Sequence, residues 1–500
     1  MILSIDQGTS STKTVLFDAE GKVAARASEP LKTHYGADGH VEQDPEEIYR
    51  NVLASVGACL DDFRSRGGDV AAIKACGISN QRETFVVWDG AGEPLYHAVV
   101  WQCKRSVGIC EELKSEGMEP LIRKRTGLIA DPYFSGSKMI WLYRNVEKVR
   151  AAVDAGNAYF GTVDTWLLYK LTGGQRYLTD FTNASRTLFF NLTELSWDKE
   201  LLALFGLSRL NLPGLEPSSS SFGASTFEGL LPAALPITAM IGDSHAAAFG
   251  EGCFAPGTAK ATLGTGCSIL MNIGSEPKTS ETGMITTICW STEYRLDYAF
   301  EGAIVSCGAT VEWLKNEMGL FSDSRQTEAM ATAVPDNGGV YLVPAFSGLG
   351  APHWDMNRKA SISGLTFGSS KNHVVRAALE SIPYQIKDVV VAMEADTGIP
   401  LQQLMANGGI TSNQFVLQFI SDILGCPVAG IGMPDVSALG AAYLAGLKVG
   451  IYRDLEHLKS LNEHKSVIHP GPDVKKVAAW YKGWLEALNE TQVKQQELVS

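Results

Sequence analysis

Short apolar runs and helical repeats alternate along the first part of the chain. Ile2 to Ile5 and Val15 to Phe17 are apolar runs of strand length, and the polar segment from Asp6 to Lys13 between them predicts a hairpin with a turn rich in Gly, Ser and Thr. Asp44–Pro45 then predicts an N-cap and a first-turn proline. Apolar residues follow it at helical spacing until Gly67–Gly68, which predicts a helix between these two signals.

The second half begins with a similar hairpin pattern. Lys260 to Leu263 is followed by the turn Gly264–Ser268 and by the apolar run from Ile269 to Met271. One such hairpin near the start of each half indicates an internal duplication. We therefore expect an α/β fold of two related domains that face one another, formed by residues 1–250 and 251–500.

Later segments predict further elements. We expect a long helix from Val374 to Ala395 and a strand-to-helix switch at Asn407–Gly409, which opens a helix from about Asn413 to Leu424. The stretch from Pro217 to Gly229 is rich in Ser, Pro and Gly, and it predicts a surface loop. The last fifty residues predict one or two covering helices.

Composition narrows the class of protein. The chain has 500 residues, 45% of them hydrophobic, enough for two or three domains at ~100–200 residues each. Its 42 basic and 55 acidic residues give a formal net charge of −13 without any basic block, which disfavours non-specific nucleic-acid binding. The nine cysteines form no CxxC pair, which predicts reduced thiols. We find no secretory n-region and no uncharged apolar run of ~20 residues, so we expect a cytoplasmic protein without membrane insertion.

The two Gly/Thr turns are candidate phosphate sites. Glycine lets backbone amides approach a phosphate, Ser and Thr hydroxyls donate to it, and Lys13 adds a positive charge. Asp6 is a candidate ligand for phosphate-bound Mg²⁺, which prefers oxygen. Either turn alone is more typical of an ordinary hairpin, but two of them, together with Asn407–Gly409, favour a nucleotide cleft without a P-loop.

Asp243 follows an apolar strand and Gly242, at the sheet end where α/β folds bind ligands. Taken alone, an aspartate there is about as often a helix N-cap. Gly242–Asp243–Ser244 also resembles the nucleophile block of GDS-type esterases, and Asp454 with His457 has their Asp-x-x-His spacing. In GDS-type esterases, however, the nucleophile block lies close to the amino terminus, whereas here it begins at Gly242. An esterase would also leave both Gly/Thr turns unexplained.

Arg82 and Glu83 follow the strand predicted from Ile73 to Ile78. Adjacent residues of extended chain point apart, so the pair could meet two different ligand hydroxyls; the alternative is a solvated strand end. Trp101 and Tyr133 could wall a small pocket, although aromatic residues in such places usually belong to a core.

Several long stretches are similar to the FGGY carbohydrate kinases, and most of all to the members that act on glycerol. The resemblance covers nearly the whole chain, and two family signatures are met in full, from Tyr133 to Leu142 and from Ala360 to Glu380. Further specific matches are Asn80–Thr84, Val100–Cys103, Gly161–Trp166, Thr182–Thr187 and Pro344–Pro352.

The resemblance implies two actin-like (ribonuclease-H-like) domains that bind ATP and a sugar alcohol in the cleft between them. It implies that Asp243 is the general base and that Asp6 helps to hold Mg²⁺. It places Arg82, Glu83, Trp101 and Tyr133 around the polyol, with Ser244 and Ser268 beside them. It also implies a homodimer or homotetramer. The residues implied for ATP are Gly8, Thr9, Ser10, Lys13, Gly264, Thr265 and Gly308 along the phosphates, and Gly409 with Asn413 near the adenosine.

Two positions depart from the members that act on glycerol. Those usually have Gln after the catalytic Asp and Phe after Gly-Thr-Gly-Cys, where this chain has Ser244 and Ser268. Both changes remove bulk and the second adds a hydroxyl, which favours a longer or more hydroxylated substrate unless a neighbour such as His245 fills the gap.

The implied activity is therefore ATP-dependent phosphorylation of glycerol to glycerol 3-phosphate. The alternative substrate is a four- or five-carbon polyol or ketose such as erythritol, threitol, xylulose or ribulose. A nucleotide-driven clamp of the actin or heat-shock type, which would bind a partner instead of a metabolite, is a further alternative.

Overall fold

A computed structural model describes residues 1–430, 432–462 and 466–497, with side chains up to residue 489. Strands and helices alternate through the first half as the sequence pattern predicts. Its elements are β1 (Ile2–Gln7), β2 (Ser11–Phe17), β3 (Val23–Pro30), β4 (His34–Tyr35), β5 (Val41–Gln43), α1 (Pro45–Ser65), β6 (Ala75–Asn80), β7 (Phe85–Asp89), β8 (Ala98–Val99), α2 (Val107–Ser115), α3 (Glu119–Thr126), α4 (Ser135–Asn145), α5 (Glu147–Asp154), β9 (Ala158–Thr162), α6 (Val163–Leu171), β10 (Leu178–Asp180), α7 (Phe181–Ala184), β11 (Phe190–Asn191), β12 (Ser196–Trp197), α8 (Lys199–Leu204), β13 (Gly214–Glu216), β14 (Ser219–Ser225), β15 (Leu235–Gly242) and α9 (Asp243–Gly250).

The second half begins with a hairpin, as the first does. Its elements are β16 (Thr258–Leu263), β17 (Cys267–Gly274), β18 (Ile285–Ser291), β19 (Leu296–Ile304), α10 (Gly308–Asn316), α11 (Gln326–Thr332), β20 (Tyr341–Val343), β21 (Ser361–Ser363), α12 (Lys371–Thr397), β22 (Gln403–Asn407), α13 (Gln414–Leu424), β23 (Val428–Gly430), α14 (Val436–Lys448), α15 (Leu455–Leu461), β24 (Ser466–Ile468) and α16 (Val474–Glu497).

Local chemistry accounts for the helix boundaries. The Asp44 side chain accepts from the Glu46 amide at 2.9 Å and caps α1, whose buried stripe includes Ile48, Val52 and Val56. Asn413 caps α13 in the same way, and so it precedes the helix that was predicted to begin with it.

Two large sheets share one topology. The first has the order β14-β15-β6-β1-β2-β3, in which β1 pairs antiparallel with β2 and parallel with β6. The second has the order β18-β19-β17-β16-β22-β23-β24, in which β16 pairs antiparallel with β17 and parallel with β22. In both, the parallel run continues to a further strand, β15 or β23. This repetition confirms the prediction of two related α/β domains.

A smaller five-stranded sheet, β4-β5-β8-β7-β9, projects from the first domain. Its strands and the helices α2 to α5 share one apolar core, which includes Phe85, Ile140 and Phe160. This layer carries Trp101 and Tyr133, and it therefore forms one wall of the cleft.

Helix α14 joins the two domains, although it belongs to the second half of the sequence. It packs on α9 and on the first sheet at β1, β6 and β15. The contact is close because a Cβ at Gly440 would lie 1.8 Å from the Ala246 carbonyl oxygen, and a Cβ at Gly77 would lie 2.3 Å from that of Ala441. The halves are thus interlocked, and a division of the chain at residue 250 stays a prediction.

One predicted loop is wrong. The segment from Pro217 to Gly229 contains β14, which pairs antiparallel with β15 at the edge of the first sheet. Four of its five serines are buried, and two of these donate to distant acceptors: Ser218 Oγ donates to Asp180 at 2.7 Å and Ser219 Oγ donates to the Leu444 carbonyl at 2.9 Å. Side chains that suggest a loop by composition therefore serve as interior polar contacts. The described part of the last fifty residues holds two helices, α15 and α16, and β24 between them extends the second sheet.

All nine cysteines lie among the described residues, where they are buried and form no disulfide bond, as the sequence predicts. Among the described residues, none of the helices combines the length and the apolar character that a bilayer crossing requires.

Candidate functional site

A cleft of about 770 Å³ lies between the two sheets. The ends of both sheets and the start of α14 converge on it. Its walls include Asp6, Thr9, Lys13, Arg82, Glu83, Trp101, Tyr133, Asp243, Ser244, Lys260, Thr262, Ser268, Asn407, Gly408, Gly409, Thr411 and Ser437.

Asp243 lies at the junction of β15 and α9. It is the first residue of the helix and Gly242 is the N-cap, so the expected alternative of an aspartate N-cap is wrong. A Cβ at Gly242 would lie 2.7 Å from Arg82 Cγ, so glycine leaves room for the Arg82 side chain at this position. The Ser244 amide donates to Asp243 Oδ1 at 2.6 Å, and Arg82 Nε lies 3.3 Å from the same oxygen. The start of α9 and the Arg82 guanidinium thus both hold the Asp243 carboxylate in place.

Arg82 is fixed by a buried carboxylate that the sequence did not single out. Its Nη1 and Nη2 each donate at 3.0 Å to Glu301, which comes from β19 of the second domain. Arg186 Nη1 lies 2.7 Å from Glu301, and Arg186 Nε donates at 2.5 Å to Glu83. All four side chains are at least nine-tenths buried. The expected solvated strand end is therefore wrong for Arg82 and Glu83.

The charges of this network are balanced by one another. Burial by itself would raise the pKa of Glu301, but the Arg186 and Arg82 guanidiniums hold it well below its ordinary value. Burial raises the pKa of Glu83, against the opposing effect of Arg186. Glu301 is therefore the ionised anchor, and the two arginines connect it to Glu83 and Asp243.

Glu83 departs from the extended backbone that the sequence argument assumed. It has φ of 60°, and the Thr84 amide donates to the Arg82 carbonyl across it at 2.7 Å. Ser135 Oγ donates to the Glu83 carbonyl at 2.8 Å and fixes the turn. Positive φ at a residue other than glycine costs on the order of 1–3 kcal/mol, and such strain is found where a site demands it.

Trp101 and Tyr133 form an aromatic corner, with ring centroids 5.5 Å apart and an interplanar angle of 69°. The indole Nε1 donates to Thr9 Oγ1 at 2.9 Å, so this threonine hydroxyl connects the first turn to the aromatic wall. Lys138 is fully buried and donates to the carbonyls of Pro132 and Tyr133 at 2.9 and 2.8 Å. Burial lowers the pKa of Lys138 to about 8. Lys138 belongs to the signature from Tyr133 to Leu142, and its bonds to the Pro132 and Tyr133 carbonyls fix the backbone that carries the Tyr133 ring.

Asp6 and Lys13 are cross-strand partners in the first hairpin. Asp6 accepts from Ser79 Oγ at 3.1 Å. Burial, and then the neighbouring Asp243 carboxylate, raise the pKa of Asp6 to about 6. Two carboxylates in one cleft suit a divalent cation, which would favour their ionised forms. Lys13 Nζ lies 3.6 Å from Asp435 beside the start of α14.

The second hairpin turn is built into the start of α10. The Gly308 amide donates to the Gly264 carbonyl at 2.9 Å, and the Cys307 amide donates to the Thr265 carbonyl at 2.9 Å. Gly408 has φ of 97°, and a Cβ there would lie 2.4 Å from the Leu263 carbonyl oxygen. Glycine is therefore required where β22 passes β16, and Gly409 is thereby placed at the cleft wall.

The expected site residues are thus divided into two groups. Asp6, Thr9, Lys13 and Gly409 line the cleft, as do all the residues expected on the polyol side. The remaining expected nucleotide residues are not among the cleft walls, but they lie in the turns and helix starts beside them: Gly8, Ser10, Gly264, Thr265, Gly308 and Asn413.

Lys260 is a cleft residue that sequence reasoning missed. It is 1% exposed, and its Nζ donates to Ser244 Oγ at 2.5 Å and to Thr262 Oγ1 at 2.8 Å. Burial lowers its pKa. A lysine at the start of the predicted strand Lys260–Leu263 was the available signal, because a buried charge there requires a polar partner. His245 is also fully buried, and burial followed by the Arg82 charge keeps its pKa well below the ordinary value, so it is neutral.

The esterase interpretation is wrong on geometry. Ser244 lies in the cleft beside Lys260, whereas Asp454 caps α15 by accepting from the His457 amide at 2.8 Å. His457 is not among the cleft walls. Within the described residues, no histidine approaches Ser244 as a hydrogen-bond partner.

Both halves of the chain match the FGGY family of carbohydrate kinases: residues 1–250 match its N-terminal domain and residues 259–449 its C-terminal domain. The chain is similar to the glycerol kinase of Carboxydothermus hydrogenoformans, with 46% identity over 488 residues, 97% of each chain. It is also similar to glycerol kinase 2 of Thermotoga maritima, with 45% identity over 491 residues, 98% of each chain. A crystal structure of Plasmodium falciparum glycerol kinase with ADP superposes with a TM-score of 0.93 at 36% identity, covering 98% of each chain.

Proposed function

The chain belongs to the FGGY family of carbohydrate kinases, and from this premise we propose that it transfers the terminal phosphoryl group of ATP to a terminal hydroxyl of glycerol. The products are glycerol 3-phosphate and ADP. The observation that carries the proposal is one cleft that brings Asp243 and Arg82 together with residues of both hairpins. The full-length relatives named glycerol kinase support the choice of substrate.

Asp243 is the proposed general base. Its carboxylate accepts from the Ser244 amide and lies beside Arg82 Nε, so it is oriented before substrate binds. A carboxylate is a weak base for an alcohol, but phosphoryl transfer has a loose transition state. The hydroxyl proton can therefore leave late, after most of the bond to the departing ADP has broken.

The polyol is proposed to lie between the aromatic corner and the charged network. Trp101 and Tyr133 offer apolar faces to its carbon chain, while Arg82 and Glu83 supply a donor and an acceptor for its hydroxyls. Because Glu301 and Arg186 fix the geometry of both charged side chains, little ordering remains to be done when the substrate binds.

The nucleotide is proposed to bind along the two turns, with Lys13 near the phosphates and Gly409 and Asn413 near the adenosine. Asp6 would hold Mg²⁺, a cofactor that would neutralise charge on the phosphate oxygens. The raised pKa of Asp6 beside Asp243 fits such a cation. The remaining phosphate candidates are Gly8, Thr9, Ser10, Gly264, Thr265 and Gly308.

A coupled ADP-release assay with glycerol tests the proposal, and Asp243→Asn tests the base. We expect kcat to fall at least 100-fold in this variant, since general-base catalysis contributes about 10²–10⁴-fold. Asp61→Asn on the exposed face of α1 is the matched control. If Asp243→Asn folds normally and keeps more than a tenth of the activity, the base is another residue.

A cytoplasmic location and a homodimeric or homotetrameric assembly remain proposals as well. The nine cysteines, which are buried and outside disulfide bonds, support a reducing compartment. Gel filtration with light scattering measures the assembly.

A further inference from the structure

One part of the cleft wall is made of hydroxyls and one buried cation. Ser244, Ser268, Lys260 and Thr262 all contribute to it. Ser244 follows Asp243 directly, so this wall begins beside the proposed base. A three-carbon polyol that packs on Trp101 and Tyr133 does not require a second polar wall, since Arg82 and Glu83 already provide polar partners.

The hydroxyl of Ser268 has hydrogen-bonding capacity that the protein does not use well. Its contacts to Ser244 Oγ and Glu301 Oε1 are both 3.4 Å long. Hydroxyl hydrogen bonds are normally about 2.5–3.0 Å long, so these two are weak. A ligand oxygen placed between Ser268 and Ser244 would make shorter bonds to both.

Lys260 makes this subsite rigid. Its short bond to Ser244 Oγ occupies one lone pair and turns the Ser244 hydroxyl hydrogen toward other acceptors. The bond to Thr262 fixes the ammonium from the other side. The subsite therefore presents oriented donors to the cleft before any ligand arrives.

The charges nearby indicate a neutral ligand. The Arg82 and Arg186 guanidiniums are already paired with Glu301, Glu83 and Asp243, so no surplus cation of the network is left for a sugar acid. Lys260, the cation of this wall, is engaged by Ser244 and Thr262, and its ammonium and the neighbouring hydroxyls are donors that suit the oxygen of an alcohol.

We propose that Ser244, Ser268 and Lys260 form a specificity subsite for a hydroxyl beyond the third carbon, so that the preferred substrate is a neutral acyclic polyol of at least four carbons. This inference rests on the proposed kinase function and narrows its substrate class. Glycerol remains a substrate that leaves the subsite empty.

The test compares kcat/KM for glycerol, erythritol and threitol in the coupled ADP-release assay. We expect at least one four-carbon polyol to equal or exceed glycerol. Ser268→Phe fills the subsite and should lower the four-carbon to glycerol ratio at least tenfold. Ser268→Ala keeps the space, removes the hydroxyl and should lower the ratio roughly three- to tenfold. Ser65→Phe, at an exposed position of α1, is the control and should leave the ratio unchanged.

Each outcome has a separate meaning. A more than tenfold preference for glycerol over both four-carbon polyols, or a ratio that both Ser268 variants leave unchanged, overturns the subsite while the kinase proposal stands. If Ser268→Phe does not fold, the Ser268→Ala ratio decides alone. Absence of ADP release with every polyol, glycerol included, overturns the proposed function and the subsite together.

Discussion

Replacing Glu301 by Gln should destabilise the protein more than any exposed charge substitution. The change keeps the shape of the side chain, but it removes the counter-charge of two buried guanidiniums, Arg82 at 3.0 Å and Arg186 at 2.7 Å. Removing one partner of a buried ion pair costs about 3–5 kcal/mol, because the charge left behind is no longer fully compensated and is not hydrated. For a domain of this size that corresponds to a fall in Tm on the order of 10 °C.

Thermal unfolding followed by tryptophan fluorescence measures this fall. Glu312→Gln is the matched control, since Glu312 pairs with Lys315 at the surface, and its Tm should change by roughly 1 °C or less. Adding Arg186→Met to Glu301→Gln removes one uncompensated charge. The double variant should therefore be more stable than the sum of the two single losses predicts, by about 2 kcal/mol.

The pH dependence gives a second test. Because the folded-state pKa of Glu301 lies below its unfolded value of about 4.3, its stabilisation is fully present above that pH and is lost as the pH falls further. The Tm difference between wild type and Glu301→Gln should be constant from about pH 5 to 8 and narrow below about pH 4.3. A fall in Tm of less than about 3 °C, or a difference that widens in acid, would refute the assigned ion network.

Three further changes should have separable effects. Gly440→Ala places a Cβ 1.8 Å from the Ala246 carbonyl oxygen, so it should lower the free energy of unfolding in denaturant by more than about 2 kcal/mol. The control Gly108→Ala, with open space around it in α2, should stabilise the protein by about 0.5–1 kcal/mol, and equal effects of the two changes would contradict the α9–α14 contact. Asp6→Asn should raise the Tm at pH 8 without Mg²⁺, because the raised pKa of about 6 makes the ionised group unfavourable there, and the gain should disappear as the pH falls from 6 toward 4; a gain that persists at pH 4 would contradict it. Lys138→Met should raise KM for the polyol more than it lowers kcat, because it loosens the aromatic corner; an unchanged KM in a folded variant would show that the corner stands without it.

The order of elements could be predicted from the sequence because it depends on local patterns. Signals within a few consecutive residues predict the hairpin at the start of each half, the capped helix that begins at Pro45 and the helix that follows Asn413. The polar residues at strand ends were also visible, and Arg82, Asp243 and Ser268 lie in the cleft where they were expected. The assignment of each residue to ATP, Mg²⁺ or polyol remains a proposal.

Serine-rich composition misled the prediction at β14, because a buried serine needs only one well-placed acceptor, and Asp180 lies far from Ser218 in the sequence. Glu301 and Arg186 were missed for the same reason. Their partners lie on other strands, and a charged residue in an apolar segment does not by itself reveal what neutralises it.

By itself, the sequence determined the two hairpins, the capped helices and the family, since periodicity, caps and motif spacing are written in consecutive residues. Only the tertiary structure decided that Arg82 and Arg186 share Glu301, that α14 returns to pack on the first sheet, and that Lys260 meets Ser244. The physical reason is that a buried charge is stable only beside a partner, and a close backbone contact requires two segments that fit together. In this protein the members of each pair come from distant parts of the chain.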